Sequence, residues 1–418
     1  HLCDRRQRQM CIRDRNIALL LIVFGIGIGI TLINANDKYE VYDEESKQIK
    51  KHIGAISMML ETEAGSGNYE MTTRSEWPTD GYTFNSTLSK CENGGEVYWD
   101  DSSKKVFMSA NMSDKCYVYF DKVHTLASYV ISLYTGTQGG NNIYYHDTNL
   151  ENGAGDNSYR YAGASENVNN FVCFGSNESP CPTDNLYRII GVFENYVKVI
   201  KATTIGDMFW DEVSTSWSNT WSTSSLNAYL NGTYLTNMGT LANKIETATW
   251  KVGGNTWANI SVSTAKEVYK YEIIDTVVPT NSNDGKAEYS AKIGLMYVSD
   301  YMFAIPQEKW KLIAYNVNDS TKDYRAATSS NWLYSGKNEY TISRSSNNTD
   351  DVFVIYSSGE VYSYIVNCGS GELLPCKAYK KAVRPSFYLI PSVIYKSGSG
   401  TQNLSLIHIS EPTRQAEI

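Results

Sequence analysis

The chain has 418 residues, with 37 Lys and Arg against 45 Asp and Glu, a formal charge of −8, and 32 tyrosines. Beyond its first fifteen residues it has no Lys/Arg cluster, and nucleic-acid phosphates demand a basic footprint, so no nucleic-acid partner is expected. The length allows two or three domains, and the Tyr, Asn, Ser and Gly content is one shared with adaptable binding surfaces.

Residues 5–15 (RRQRQMCIRDR) and 404–414 (LSLIHISEPTR) fit no pattern around them. Back-translated, residues 9–15 and the complement of the codons for 404–409 are one short DNA element read from both strands. It resembles the transposase end sequence used in preparing sequencing libraries. Residues 1–15 and 404–418 are therefore expected to be adapter-derived and are set aside like a fusion scar. They hold five Arg and two Asp (+3), then one Arg and two Glu (−1), so residues 16–403 carry −8 − 3 + 1 = −10.

Residues 16–34 (NIALLLIVFGIGIGITLIN) carry no charge and no proline from Ile17 to Ile33. As a helix that run would extend about 26 Å, slightly short of a bilayer's hydrocarbon core. Only a helix satisfies its own backbone in lipid, so a transmembrane helix is expected, making a single-pass protein of the cell membrane with its C-terminal region extracellular. A cleaved signal peptide is the rival reading, with Ile33-Asn34-Ala35 as its site, but Ile33 is large where a small residue is wanted. Gly25 and Gly29 have the GxxxG spacing that lets two membrane helices pair.

Residues 35–80 read as a stalk helix and linker, because Ile49, Ile53, Ile56 and Leu60 recur at helical spacing before Gly65 and Gly67. His52, among lysines, reads as solvated. From Tyr82 the period becomes two. Residues 96–99, 106–109 and 116–120 alternate, with polar turns between them, which predicts a small antiparallel β module over 81–122. Asp100 and Asp101 beside Trp99 fit a turn as well as they fit calcium ligands. Residues 123–160 read as a helix (123–135), with His124 structural near its start, and a polar loop. His146, in that loop, has no serine or cysteine partner in a recognisable catalytic arrangement.

The third region, 161–403, predicts a hairpin from strands 185–193 and 196–201 joined through Glu194 and Asn195. Ser224 or Ser225 caps a helix that puts Leu226, Tyr229, Leu230 and Tyr234 on one face. Further strands are predicted at 291–299, 352–356, 360–366 and 384–389, with a hairpin turn at 357–359. Strands interrupted by helices and long polar loops make an α+β domain. Six cysteines fall as Cys91/Cys116, Cys173/Cys181 and Cys368/Cys376, a pattern that implies local disulfides in an exported chain. No CxxC pair or nearby histidine completes a zinc site, and no phosphate-binding motif occurs, so neither metal nor cofactor is expected.

Five stretches of the third region, NLYRIIGVF (185–193), LNAYLNGTYL (226–235), NWLYSGKNEYTISR (331–344), VFVIYSSGEVYSY (352–364) and VRPSFYL (383–389), together resemble a family. It comprises cell-surface proteins of uncharacterised function from low-GC Gram-positive bacteria, similar to the C-type-lectin-like fold shared with formylglycine-generating enzymes. The resemblance implies that loops on a twisted sheet present the ligand site. Trp332, Tyr334, Arg344, Tyr362 and Tyr364 are then candidate contacts, since aromatic stacking beside a planar cation suits sugars or peptides. The competing reading makes Trp332 and the alternating tyrosines core. Arg384, within VRP, reads as a structural ion-pair partner. The expected function is a non-catalytic, membrane-anchored binding or adhesion protein for glycan or protein ligands. Two alternatives stand beside it: a copper-dependent thiol oxidase using Cys368 and Cys376, whose seven-residue spacing departs from that enzyme motif, and a pilin-like assembly subunit.

Overall fold

The computed structural model describes residues 39–43, 48–50, 55–74, 76–78, 81–100, 102–109, 114–212, 218–276, 286–348, 350–365 and 380–408. The chain forms two compact units, one ending at His124 and one beginning at Thr125.

The first unit is one mixed sheet. Its strands are β1 (Tyr39–Asp43), β2 (Gln48–Lys50), β3 (Ala55–Glu61), β4 (Tyr69–Met71), β5 (Tyr82–Phe84), β6 (Lys90–Cys91), β7 (Glu96–Asp100), β8 (Lys105–Ser109) and β9 (Lys115–Lys122). They lie in the order β2-β1-β8-β7-β6-β9-β3-β4, with β5 on β9. The stalk helix expected over 35–80 is corrected. Ala55–Glu61 is a strand, because Ile56, Met58 and Leu60 also alternate. Parallel pairing with β9 sets them against Cys116, Val118 and Phe120 in one core. Ile56 and Leu60 four apart satisfy both periods, and burial against a neighbouring strand decides between them. Within 81–122 the pairs β5–β9, β6–β7, β6–β9 and β7–β8 are all antiparallel, and the parallel pairs β3–β9 and β1–β8 add strands that precede those bounds. Cys91 and Cys116 are bonded across the β6–β9 register.

The second unit combines short helices with several sheets, one of them nine-stranded. Its first helix, α1 (Leu126–Ser132), is capped by Thr125, whose side chain accepts from Ser128 N. Strands β10 (Ile143–Tyr145), β11 (Tyr159–Tyr161), β12 (Phe171–Cys173), β13 (Leu186–Phe193) and β14 (Tyr196–Lys201) follow. The predicted hairpin is β13–β14, with Glu194 at φ 57° in its turn. Both strands are buried almost end to end, which is why they read as near-continuous apolar runs. At the Ile189/Gly191 irregularity, a Cβ on Gly191 would lie 2.4 Å from Tyr159 O, so only glycine fits. Cys173 is bonded to Cys181.

Helix α2 (Ser225–Tyr229) starts at Ser224, whose hydroxyl accepts from Asn227 N, and continues through a π turn, Leu230–Tyr234. A second sheet contains Glu339–Ser345, Asp351–Ile355 and Val361–Ile365, and the last two are joined by the predicted turn, with Gly359 at φ 106°. Of the strand expected at 291–299, Ala291 ends the strand Glu288–Ala291 and Ile293–Gly294 forms another. Helix α3 (Val298–Phe303) follows it, because Asp300 caps its start through Tyr297 N. Leu406–His408 pairs with β12 and with Tyr395–Ser397, and Leu406 is fully buried. That strand lies within the stretch that codon-level reading assigns to the adapter.

The expected succession of membrane helix, antiparallel module and lectin-like domain is thus replaced by a mixed α+β molecule, mostly sheet, with disulfides at 91–116 and 173–181. Among the described residues no helix is long and apolar enough to cross a membrane. The single-pass assignment and its localisation are therefore not retained. Residues 16–34, with Gly25 and Gly29, lie outside the described residues, as do Cys368 and Cys376.

Candidate functional site

A cleft of about 570 Å³ opens in the first unit where one strand stops short. Strand β6 has two residues, and they join β7 to β9 only at the level of Glu96, Lys90 and Tyr117. Farther along β9, Tyr82–Phe84 takes over as its neighbour, with Phe84 opposite Phe120. Among the described residues no ladder links β5 to β7. The space between these two edges is the cleft, lined by Tyr82, Thr83 and Phe84 on one side, Val97, Tyr98 and Trp99 on the other, and Phe120 below.

Alternation along each strand builds the floor. Phe84, Trp99 and Phe120 all point to the core face: Phe84 and Trp99 stack with ring centroids 6.3 Å apart, and Trp99 meets Phe120 edge-on at 5.4 Å. Tyr98, one residue along β7, points to the opposite face, where it is half exposed and its hydroxyl donates to Glu96. Lys104, in the β7–β8 turn, takes a positive φ of 53° and completes the rim. That turn is held by Asp100, which accepts from Ser102 N and from the hydroxyls of Ser102 and Ser103. These hydrogen bonds hold its carboxyl down at about 2. Asp100 thus serves the turn.

The candidates read from the third region are scattered through the second unit. Trp332 is core: its Nε1 donates to Tyr161 O at 2.8 Å and the Arg188 guanidinium lies 4.7 Å over its ring. Arg344 is 1% exposed and donates to Thr220 Oγ1 and Lys286 O. Tyr334, half-buried, donates to Ser357 O. Tyr362 and Tyr364 stand outward on one strand; Tyr362 leans on Trp257 and Lys381 Nζ sits 3.6 Å over the Tyr364 ring. Alternation brings those two together, while burial removes Trp332 and Arg344 from any surface. Arg384 is the expected ion-pair partner, bidentate to buried Glu339 at 2.6 and 3.0 Å.

The second unit also holds a buried charged cluster that sequence reading did not foresee. Lys198 on β14 and Asp300 on α3 meet at 2.5 Å, each under 3% exposed at its side chain. Arg160 on β11 pairs with Asp156 at 2.5 Å and comes within 3.9 Å of Asp300. Tyr269 donates to Asp156. Burial opposes the Asp156 charge, but Arg160, Ser158 and Tyr269 outweigh it and hold the carboxyl below its ordinary range. Glu272 accepts from Val298 N, Ser299 N and Ser343 Oγ, and burial pushes its carboxyl up. His146 is fully buried between Phe303 and Trp310, its Nδ1 accepting from Ala154 N, and burial pushes its imidazole well below the ordinary value. Among the described residues no three His, Cys, Asp or Glu side chains are grouped to hold a metal ion.

The signal for the cleft in the sequence is the two-residue spacing of Tyr82/Phe84 and Val97/Trp99. It becomes readable only once β5, β7 and β9 are known to share a sheet. Comparison with protein-family models, with curated proteins and with solved structures returns no match.

Proposed function

We propose that the chain is a non-catalytic binding protein whose first unit captures an extended segment of a protein ligand in the β5–β7 cleft. One observation carries this reading: two strand edges face each other across a gap with an aromatic floor. An extended peptide laid in such a gap adds a strand, its main chain giving affinity and alternate side chains reaching the rings below. Among the described residues the lining side chains include no carboxylate, imidazole or thiol, which supports binding over nucleophilic chemistry. The two disulfides fit an oxidising compartment, where such a ligand would be met.

The test is selection of displayed random heptapeptides on the purified chain, followed by calorimetry on the selected sequences. Trp99→Ala removes a floor ring and is expected to weaken binding by roughly 10- to 30-fold, the loss of a central aromatic contact. N-methylation of alternate peptide nitrogens is expected to abolish binding, because strand addition uses those N–H groups. Peptides that bind wild type and Trp99→Ala equally, or selection of none alongside binding to a glycan array, would overturn the reading.

A further inference from the structure

Lys198 and Asp300 are 102 residues apart, yet they face each other inside the second unit with Nζ 2.5 Å from Oδ2. Four rings box the amine: Tyr297 at 4.3 Å, Tyr388 at 5.3 Å, Trp250 at 5.4 Å and Phe193 at 5.9 Å. Asp300 is fixed as well, since Oδ2 also accepts from Tyr297 N at 2.8 Å and Oδ1 faces Arg160 Nη1 at 3.9 Å. A second buried carboxyl, Glu272, holds the N–H groups of the next two residues, Val298 and Ser299.

We propose that Lys198 and Asp300 condense into an intramolecular amide that crosslinks β14 to the start of α3. The bond between Nζ and Cγ forms and the bond between Cγ and Oδ2 breaks. The ammonium and carboxylate together become one amide and one water, so no oxidant, reductant or co-reactant is needed. Each surrounding group has a part in that step. The ring box excludes bulk water, which otherwise opposes loss of water and solvates the amine. Burial pushes the Lys198 ammonium down, towards the neutral amine that attacks carbon. Arg160 faces Oδ1, the oxygen that carries negative charge in the tetrahedral state and stays as the amide carbonyl. Glu272 fixes the start of α3, and with it Asp300, by accepting from Val298 N and Ser299 N. The assignment is independent of the cleft in the first unit.

The experiment is intact-mass measurement of the full chain after disulfide reduction, followed by tryptic mapping. The wild type is expected to weigh one water less than its sequence. Trypsin is expected to leave Lys198 uncut and to release one branched peptide containing both residues. Lys198→Arg and Asp300→Ala are expected to restore the full mass. A wild-type chain at full sequence mass, yielding separate linear peptides cut after Lys198, would overturn the proposal whatever the variants do.

Discussion

His146 shows how a single side chain acquires a role from its surroundings. In the sequence it stands in a polar loop rich in Asn and Gly; in the fold it is wholly buried against Phe303 and Trp310, with Arg160 adding to the burial that keeps it neutral. Its folded value lies below that of the unfolded chain. Above about pH 6.5 it therefore leaves stability untouched, and below that the unfolded state takes up a proton that the folded state refuses. Stability is expected to fall with pH below about 6.5, by up to about 1.4 kcal/mol per unit. His146→Asn keeps an acceptor for Ala154 N and removes the titration, so urea denaturation between pH 7 and 5 should give it the flatter profile. Glu272 works in the opposite sense. Its folded value is raised, so it favours the folded chain at low pH and loses that contribution as pH rises past the ordinary carboxyl value. Both variant and wild type carry it, and their difference isolates the histidine.

At the scale of elements, local spacing and pairing partners compete, and the outcome differs along the chain. Ser224 caps α2 and the β13–β14 hairpin turns at Glu194 because those signals are satisfied within a few residues. Ala55–Glu61 shows the reverse: spacing compatible with a helix yields a strand once β9 offers a parallel partner. The shortness of β6 is another such decision: Cys91 is fastened to Cys116 on β9, and farther along β9 the neighbour is β5. Closing a loop of 25 residues is expected to contribute roughly 3–4 kcal/mol by limiting the unfolded chain. Replacing both cysteines by serine should accordingly lower hydrogen-exchange protection in Lys115–Lys122 while leaving Leu186–Phe193 unchanged. Equal loss in both strands would mean that the bond stabilises more than its own sheet.

Across the whole molecule, charge sets the long-range behaviour and packing sets the sites. A formal charge of −8 and a pI near 5.3 give a chain that repels polyanions at neutral pH. It is expected to pass through heparin resin at pH 7 and to be retained on an anion exchanger; retention on heparin that salt reverses would reveal a basic surface and reopen the question of a nucleic-acid partner. Much of the secondary structure was legible in the residues: the cystines at 91–116 and 173–181, the hairpin, the capped helix and the turn at Gly359 all rest on interactions between near neighbours. The candidate site was not. Trp332 and Arg344 were exposed to suspicion by their chemistry alone, and burial, a property of the assembled unit, removed them from the surface. Phe84 and Trp99 came together because three strands distant in sequence share a sheet that one short strand leaves open. Lys198 on β14 reached Asp300 on helix α3 across 102 residues through packing inside the second unit. Sequence by itself determined composition, charge and the elements closed by short loops, because those depend on local chain geometry. Only the tertiary structure decided which aromatic rings face a cleft and which charges share a dry interior, because both follow from long-range pairing and the exclusion of water.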